Sequence, residues 1–265
     1  MQNIKTTIIQ SSLFWEQHEE NRKMFSDKID QIKDDTDIII LPEMFSTGFT
    51  MNPKPIAEKA KGESFQWMQK KAKEKNAVIA GSIATTENDK FYNRFYWVEP
   101  SGNFYQYDKK HLFTFAGEDK QYTAGQERII IEYKGWKFLP LICYDLRFPV
   151  WSKNKYSKES GFDYDCIIYI ANWPQPRNKA WKSLLIARAI ENQSYVIGVN
   201  RIGFDNNKNE YSGDSAVVDP KGNYLSQLTA NAELSDTVIL SKEELYNFRE
   251  NFRLGPDWDK FSIEG

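Results

Sequence analysis

Residues 138–149 read Phe138-Leu139-Pro140-Leu141-Ile142-Cys143-Tyr144-Asp145-Leu146-Arg147-Phe148-Pro149. The first five residues form an apolar run that is typical of a strand covered on both faces. The run ends at a thiol, and the residues behind it predict that the chain turns there towards a helix. Because α/β proteins expose reactive groups at the carboxyl ends of their strands, this stretch predicts an α/β fold with Cys143 at a candidate site. The alternative is that Cys143 is a small buried hydrophobic residue, the commoner fate of a free cysteine.

Apolar and alternating runs predict strands on both sides of this stretch. They cover residues 4–10, 37–41, 78–84, 91–98, 104–107, 129–133, 137–142, 166–170 and 195–200. Tight turns predict three hairpins. These turns lie at residues 100–103, 134–136 and 220–223.

Helical features occur in four segments. The first has apolar residues at helical spacing at Phe25, Ile29 and Ile32. The second has them at Phe65, Met68 and Ala72 and ends near Asn76. A third helix is predicted over residues 179–192. Ser241 and Glu244 form a capping-box pattern, in which Ser241 caps a last helix running towards Phe252 and Glu244 reaches back.

The mixture of alternating strands and helices with tight hairpins predicts mixed sheets covered by helices rather than a purely doubly wound sheet. The 265 residues lie within the range in which one α/β domain still holds one core, and 40% of them are hydrophobic. The chain has no internal repeat, low-complexity segment or linker. We therefore expect residues 1–265 to form a single domain.

Charge and hydropathy exclude several classes of function. The net charge is -2 and the pI is about 5.9, whereas a protein that neutralises many phosphates needs a basic excess. No apolar run approaches the roughly 20 residues that span a bilayer. The first five residues lack the apolar core of a signal peptide. We expect a cytoplasmic protein that binds neither nucleic acid nor membrane.

Cysteine and histidine are scarce, with two of each. In an intracellular chain of this size, Cys143 and Cys166 have little reason to pair, so both are expected to be free thiols. Cys166 lies within an apolar run and is interpreted as a core residue. His18 and His111 are too few for the usual zinc clusters and for most Ser-His-Asp arrangements.

Charged residues at two further places in the sequence could act with Cys143. Glu43 follows the buried strand at residues 37–41 and could accept the thiol proton, return a proton to a leaving group and activate water. Lys109 and Lys110 are adjacent, so in an extended segment they point to opposite sides and one of them could face a cleft. An ammonium there would hold Cys143 as thiolate and stabilise a tetrahedral intermediate. The alternative for all three side chains is exposure at the surface.

Three motifs, in this order and spacing, resemble the nitrilase superfamily of carbon-nitrogen hydrolases. They are Leu41-Pro42-Glu43, then Lys109-Lys110-His111-Leu112-Phe113, then Leu141-Ile142-Cys143-Tyr144-Asp145-Leu146-Arg147-Phe148-Pro149. The resemblance continues through residues 171–174, 187–192 and 213–215, so it covers nearly the whole chain. It implies a four-layer α-β-β-α sandwich with mixed sheets, commonly paired into a homodimer, and no metal or organic cofactor.

The resemblance also implies roles for individual residues. Glu43 is the general base, Lys109 binds the oxyanion and Cys143 is the nucleophile that forms a thioester. Lys109 is selected over Lys110 because the family's catalytic lysine lies two positions before the histidine. Glu118 matches a second glutamate that helps to position substrate, and the backbone N–H of Tyr144 joins the oxyanion hole.

Within the superfamily the chain looks most like the bacterial omega-amidases, which hydrolyse the terminal amide of 2-oxoglutaramate and related 2-oxo acid amides. The residues on which this resemblance rests include Asn172 and Trp173, which we expect in the substrate site. Such a substrate carries a carboxylate remote from the amide, so the pocket should contain a donor for it. Arg177 is the candidate and Arg147 the alternative, although Arg147 could equally form a structural ion pair.

Other functions remain open from the sequence. An N-carbamoyl amino acid hydrolase, a deaminated glutathione amidase or a nitrilase of the same superfamily would share the three catalytic residues. A non-enzymatic binding protein on this scaffold is a further alternative, and the presence of all three chemical groups argues against it.

Overall fold

The computed structural model describes residues 2–262. The strands are β1 (Ile4–Gln10), β2 (Ile38–Ile40), β3 (Glu58–Lys59), β4 (Val78–Glu87), β5 (Lys90–Val98), β6 (Phe104–Asp108), β7 (Ile131–Tyr133), β8 (Trp136–Ile142), β9 (Tyr156–Ser157), β10 (Gly161–Phe162), β11 (Cys166–Ala171), β12 (Tyr195–Asn200), β13 (Ile202–Phe204), β14 (Glu210–Ser212), β15 (Ala216–Val218), β16 (Tyr224–Gln227) and β17 (Leu234–Leu240). The α-helices are α1 (His18–Asp30), α2 (Pro53–Ile56), α3 (Glu63–Lys75), α4 (Pro149–Ser152), α5 (Asn178–Asn192) and α6 (Lys242–Asn251).

Two large sheets organise the molecule. The first has the order β17-β1-β2-β4-β5-β6, with β3 beside β4, and the second has the order β16-β15-β12-β11-β8-β7. In the first sheet β1, β2 and β4 are parallel, whereas β17, β5 and β6 join antiparallel. In the second sheet β8, β11 and β12 are parallel and the outer strands are antiparallel. The prediction of mixed sheets is therefore confirmed.

The alternation of side chains along β2 shows how the layers form. Ile38 and Ile40 pack into the core between the two sheets, which also contains Phe138 of β8. Ile39 faces the other way, where it packs with Phe25 of α1. All five side chains in these contacts are fully buried, and Leu41 continues the same alternation.

Helices cover the outer faces of both sheets. On the first sheet, α3 packs against β4 and β5, and α1 lies beside α3. On the second sheet, α5 packs against β12 and β15. Gly198 of β12 permits this contact, since a Cβ there would lie 2.6 Å from a methyl group of Leu185. The predicted four-layer α-β-β-α sandwich is confirmed.

Within residues 2–262 the structure departs from the predicted elements at several places. The edge strand β17 was not predicted, and β7 begins at Ile131 rather than at residue 129. β4 continues beyond residue 84 to Glu87, because Asn88 and Asp89 both have positive φ and form a tight turn into β5 that was not predicted. α1 ends at Asp30, before Ile32. Ser241 accepts a hydrogen bond from the backbone N–H of Glu244, as predicted, but its own N–H donates to Tyr195 Oη, so the predicted return contact from Glu244 is wrong.

No helix in the described range is both long enough and apolar enough to cross a membrane.

Candidate active site

The candidate site lies where four strands of the two sheets end. Glu43 follows β2, Lys109 follows β6, Cys143 follows β8 and Asn172 follows β11. Glu43 and Lys109 are fully buried, and the other two are at most 9% exposed. The fold thus brings together Glu43, Lys109 and Cys143, the three predicted catalytic residues, which are far apart in the sequence.

Cys143 lies at the point where β8 turns into a short 3-10 helix, Cys143–Arg147. Its φ is +45°, a value that non-glycine residues rarely adopt. This conformation turns the backbone from the strand into the 3-10 helix within one residue. The Sγ atom of Cys143 lies 3.9 Å from the carbonyl oxygen of Asn172. Backbone N–H groups in the first turn of a helix lack acceptors within it, so the N–H of Tyr144 is available to an oxyanion.

Three donors surround the carboxylate of Glu43. Oε1 accepts hydrogen bonds from Lys109 Nζ at 3.0 Å and Asn93 Nδ2 at 2.7 Å, and Oε2 accepts from the backbone N–H of Asn172 at 2.8 Å. The side-chain amide of Asn172 donates in turn to the carbonyl oxygen of Glu43 at 2.6 Å. These bonds compensate for burial of the charge and hold the carboxylate in one orientation.

Lys109 lies between two carboxylates. Its Nζ is 3.0 Å from Glu43 and 2.9 Å from Glu118, and it lies 4.9 Å from the ring centre of Phe49. Lys110 points elsewhere, as expected for its neighbour in an extended segment, and its Nζ contacts Gln126 at 3.1 Å. Glu118 also accepts a hydrogen bond from the backbone N–H of Phe113 at 2.6 Å.

Burial and two acids set the charges of this group. Burial opposes the charged form of Lys109, but the carboxylates of Glu118 and Glu43 outweigh it and raise the lysine pKa. Burial raises the pKa of Glu118. Burial also raises the pKa of the Cys143 thiol well above its usual value, with a further contribution from Glu43 that the ammonium of Lys109 opposes. The thiol is therefore protonated at rest, which is the opposite of the expectation that Lys109 holds it as thiolate.

A cavity of about 320 Å³ opens in front of Cys143. Five of the six residues predicted to bind substrate line it, namely Tyr144, Arg147, Asn172, Trp173 and Arg177. Glu118 lies behind Lys109, fully buried, and is not part of the cavity wall. Its contact with Lys109 is direct, and its predicted contact with substrate stays a prediction.

The two arginines of the wall lie over aromatic rings. The guanidinium carbon of Arg147 lies 4.7 Å from the ring centre of Trp173, and that of Arg177 lies 5.3 Å from the ring centre of Phe113. Within residues 2–262 neither guanidinium forms an ion pair, so the structural ion pair considered for Arg147 is absent from that range. Both cations remain available to an anionic group in the cavity.

Several residues of the site were not identified from the sequence. Asn93 donates to Glu43 from the middle of β5, and a polar residue within that aromatic strand was a signal that could have identified it. Asn207 and Asn209 reach the cavity on the hairpin of β13 and β14, and no local pattern marks them.

The described residues were not expected to form a metal site. Among the described residues no group of three or more His, Cys, Asp or Glu is placed to hold a metal ion. Catalysis without a metal or organic cofactor stays a prediction.

Comparison with known proteins places the chain in a family. The carbon-nitrogen hydrolase model matches residues 5–243. Omega-amidase YafV of Escherichia coli K12 is 43% identical over 99% of this chain and 100% of its own. A 2-oxoglutaramate amidase of Bacillus subtilis is 36% identical over 84% of this chain and 86% of its own.

A solved structure agrees. The crystal structure of a carbon-nitrogen hydrolase superfamily protein of Xanthomonas campestris, with an arsenic adduct in its active site, covers 100% of both chains at 37% identity with a TM-score of 0.97. From these matches together with the fold, the chain belongs to the carbon-nitrogen hydrolase family of the nitrilase superfamily and is an amide-hydrolysing enzyme.

Proposed function

We propose that the protein is an omega-amidase, which hydrolyses the terminal amide of 2-oxoglutaramate or a related 2-oxo acid amide to the dicarboxylate and ammonia. The observation that carries this proposal is the cavity with Cys143 and two guanidiniums in its wall, Arg147 and Arg177, neither of which forms an ion pair within residues 2–262. A substrate with an amide at one end and a carboxylate at the other matches both. The relatives named omega-amidase and 2-oxoglutaramate amidase support the same substrate class.

Charge orients the substrate in this proposal. The inner group of Glu43, Lys109 and Glu118 contains two acids and one base, whereas the cavity wall contains two arginines and one acid, Asp205. The substrate carboxylate is attracted to the arginines and repelled from the inner acids. The neutral amide therefore enters first, towards Cys143.

The first step joins sulfur to carbon. Because the resting thiol is protonated, Glu43 takes its proton while the sulfur attacks the amide carbonyl carbon. Negative charge develops on the carbonyl oxygen. Lys109 Nζ and the backbone N–H of Tyr144 stabilise it, and one such donor contributes roughly 3 kcal/mol to lowering a barrier of this kind.

The next steps release the products. Glu43 returns the proton to the amide nitrogen, the carbon–nitrogen bond breaks and ammonia leaves a thioester on Cys143. Glu43 then removes a proton from water, whose oxygen attacks the thioester carbon. The carbon–sulfur bond breaks, the proton returns to the thiolate, and the second carboxylic acid is released.

We further propose that the enzyme acts in the cytoplasm as a homodimer, with no nucleic-acid or membrane partner, and that residues 1–265 are one domain. Resemblance to the superfamily supports the dimer. Large hydrophobic side chains exposed on α5 and at α6 also support it, since an interface would bury them; they are Ile190, Tyr246 and Phe252. Light scattering on the purified protein measures the mass of the assembly.

Ammonia release from a panel of compounds tests the substrate. The panel contains 2-oxoglutaramate, a neutral amide of the same length, an N-carbamoyl amino acid, deaminated glutathione and a nitrile, each assayed with wild type and Cys143→Ala. We expect 2-oxoglutaramate to have the highest kcat/KM and the variant to be inactive. Preference for another member would assign the chain to that branch of the superfamily. Failure of every compound, with Cys143 inert to alkylation, would favour a binding protein.

A further inference from the structure

The buried carboxylate of Asp145 links the two segments that carry Cys143 and Lys109. Asp145 is fully buried and makes no contact with Glu43 or Glu118 among its hydrogen bonds. It lies two residues after Cys143, in the same 3-10 helix. The reaction steps above do not use it, yet burying an ionised carboxylate is costly unless several donors surround it.

Four donors satisfy this carboxylate. Oδ1 accepts from the backbone N–H of His111 at 3.0 Å and lies 2.8 Å from His111 Nδ1, which must carry its proton to pair with a carboxylate. Oδ2 accepts from Tyr107 Oη at 2.8 Å and from the backbone N–H of Ile142 at 3.0 Å. Ile142 and Asp145 bracket Cys143 in the sequence, and Tyr107 and His111 lie two residues on either side of Lys109.

Neighbouring contacts make this link rigid. Tyr107 Oη also accepts from the backbone N–H of Lys110 and from Trp151 Nε1, both at 3.1 Å. The His111 ring stacks on Phe148 with centroids 3.7 Å apart and an angle of 5° between the planes. Burial raises the pKa of Tyr107 well above its usual value, and Asp145 adds to this effect, so the phenol stays a donor.

We propose that Asp145 is a positioning residue, which sets the distance between the Cys143 thiol and the Lys109 ammonium by holding both segments on one carboxylate. His111 acts as its partner on the lysine segment. The inference about rate rests on the proposed amidase function, whereas the inference about geometry concerns the thiol itself and can be measured without an amide substrate.

Asp145→Asn is the sharpest single change. The backbone N–H groups of Ile142 and His111 point at different oxygens, and asparagine offers only one. In either orientation of the amide, one backbone N–H faces an NH₂ group, so one of the two segments must move. We expect kcat for 2-oxoglutaramate to fall by about 100-fold, as for a displacement on the order of 1 Å, with KM within about threefold of wild type.

The rate at which iodoacetamide alkylates Cys143, measured against pH, reports the distance between the thiol and the ammonium of Lys109. The ammonium of Lys109 opposes the high thiol pKa, so moving it away must shift the pH profile of alkylation upwards. The control is Tyr195→Phe, which removes a 3.0 Å hydrogen bond to the carbonyl oxygen of Ser241 at the opposite end of β12. We expect this control to lower Tm and leave the alkylation profile unchanged.

If Asp145→Asn does not fold, two variants of His111 test the same link. His111→Asn retains an N–H donor at the position of Nδ1, and His111→Leu has similar size without one. We expect His111→Asn to keep kcat within about fivefold of wild type. We expect His111→Leu to lower kcat by at least tenfold and to shift the pH profile of Cys143 alkylation to higher pH. Equal kcat and equal alkylation profiles for the two variants would overturn the proposal. Inactivity of wild type on 2-oxoglutaramate, with these alkylation shifts present, would instead count only against the substrate.

Discussion

At the scale of single residues, Arg177 and Arg147 define what the cavity can bind. Both guanidiniums line the wall and lie over aromatic rings, Arg177 over Phe113 and Arg147 over Trp173. A guanidinium held over a ring by cation–π attraction keeps its N–H donors for other partners. A carboxylate that enters this part of the cavity would displace no existing ion pair in the described residues.

Removal of the Arg177 side chain should therefore weaken the binding of substrates that carry a carboxylate more than the binding of neutral amides. We expect Arg177→Ala to raise KM for 2-oxoglutaramate by at least tenfold and to change KM for a neutral amide of equal length by less than about threefold. Steady-state kinetics with both amides measure this, and Arg147→Ala is the matched comparison. An equal rise for the two amides would remove Arg177 as the carboxylate-binding residue, and a selective effect in Arg147→Ala alone would assign the role to Arg147.

The protonated resting thiol predicts a pH dependence. Since burial and Glu43 raise the pKa of Cys143, the thiol stays neutral below that pKa and the reactive thiolate grows as pH rises. We expect iodoacetamide to label Cys143 more slowly at pH 7 than it labels the same residue in unfolded protein, with the rate increasing at higher pH. Lys109→Met should slow labelling further, and faster labelling in this variant would contradict the charge assignment.

The three catalytic candidates could be selected from the sequence because each follows an apolar strand or a hairpin, where a charged or reactive side chain is conspicuous. Their partners could not. Asn93 acts through contacts 50 residues away in the chain, and Asp145 acts through contacts 34 and 38 residues away. Such pairings depend on how the sheets pack, which local patterns do not encode.

At the scale of elements, α6 shows how far local patterns reach. Ser241 was predicted to cap it, and its Oγ accepts the N–H of Glu244 at 3.2 Å. The predicted return contact is absent because the N–H of Ser241 already donates to Tyr195 Oη on β12. Tyr195, which is distant in the sequence, thus accepts the hydrogen bond predicted for the nearby Glu244. The sequence of α6 alone cannot reveal this contact.

This difference predicts unequal costs for two substitutions in the cap. Ser241→Ala removes an acceptor at the helix start and should lower the free energy of unfolding by about 1 kcal/mol. Glu244→Ala removes no capping bond and should change it by less than about 0.5 kcal/mol. Urea unfolding of both variants checks this, and equal losses would indicate that the full capping box forms in solution.

At the scale of the whole molecule, one core joins the two sheets. Trp97 of β5 and Phe138 of β8 belong to the same buried cluster, with ring centroids 5.0 Å apart, although they come from different sheets. The order of most strands and helices could be predicted from periodicity, and the four-layer arrangement followed from the resemblance. The short strands β3, β9, β10, β13 and β14 were not predicted, because two or three residues carry no periodic signal. The edge strand β17 was also not predicted, because its first four residues are polar or partly exposed and give no apolar run.

A shared core predicts that the chain unfolds as one unit. We expect far-UV circular dichroism and tryptophan fluorescence to report the same transition in urea, since neither sheet can lose its partner without exposing the apolar surface between them. Two separate midpoints would show that residues 1–265 contain more than one cooperative domain.

The most direct test of the chemistry is to capture the covalent intermediate. Wild type mixed with 2-oxoglutaramate, quenched in acid within one turnover and digested, should carry one 2-oxoglutaryl group on the peptide that contains Cys143 and none on the peptide that contains Cys166. Mass spectrometry identifies both peptides, and Cys166→Ala should retain full activity because Cys166 is buried within β11. Ammonia release by Cys143→Ala at the wild-type rate, or an acyl group found only elsewhere, would contradict the assignment of Cys143 as nucleophile.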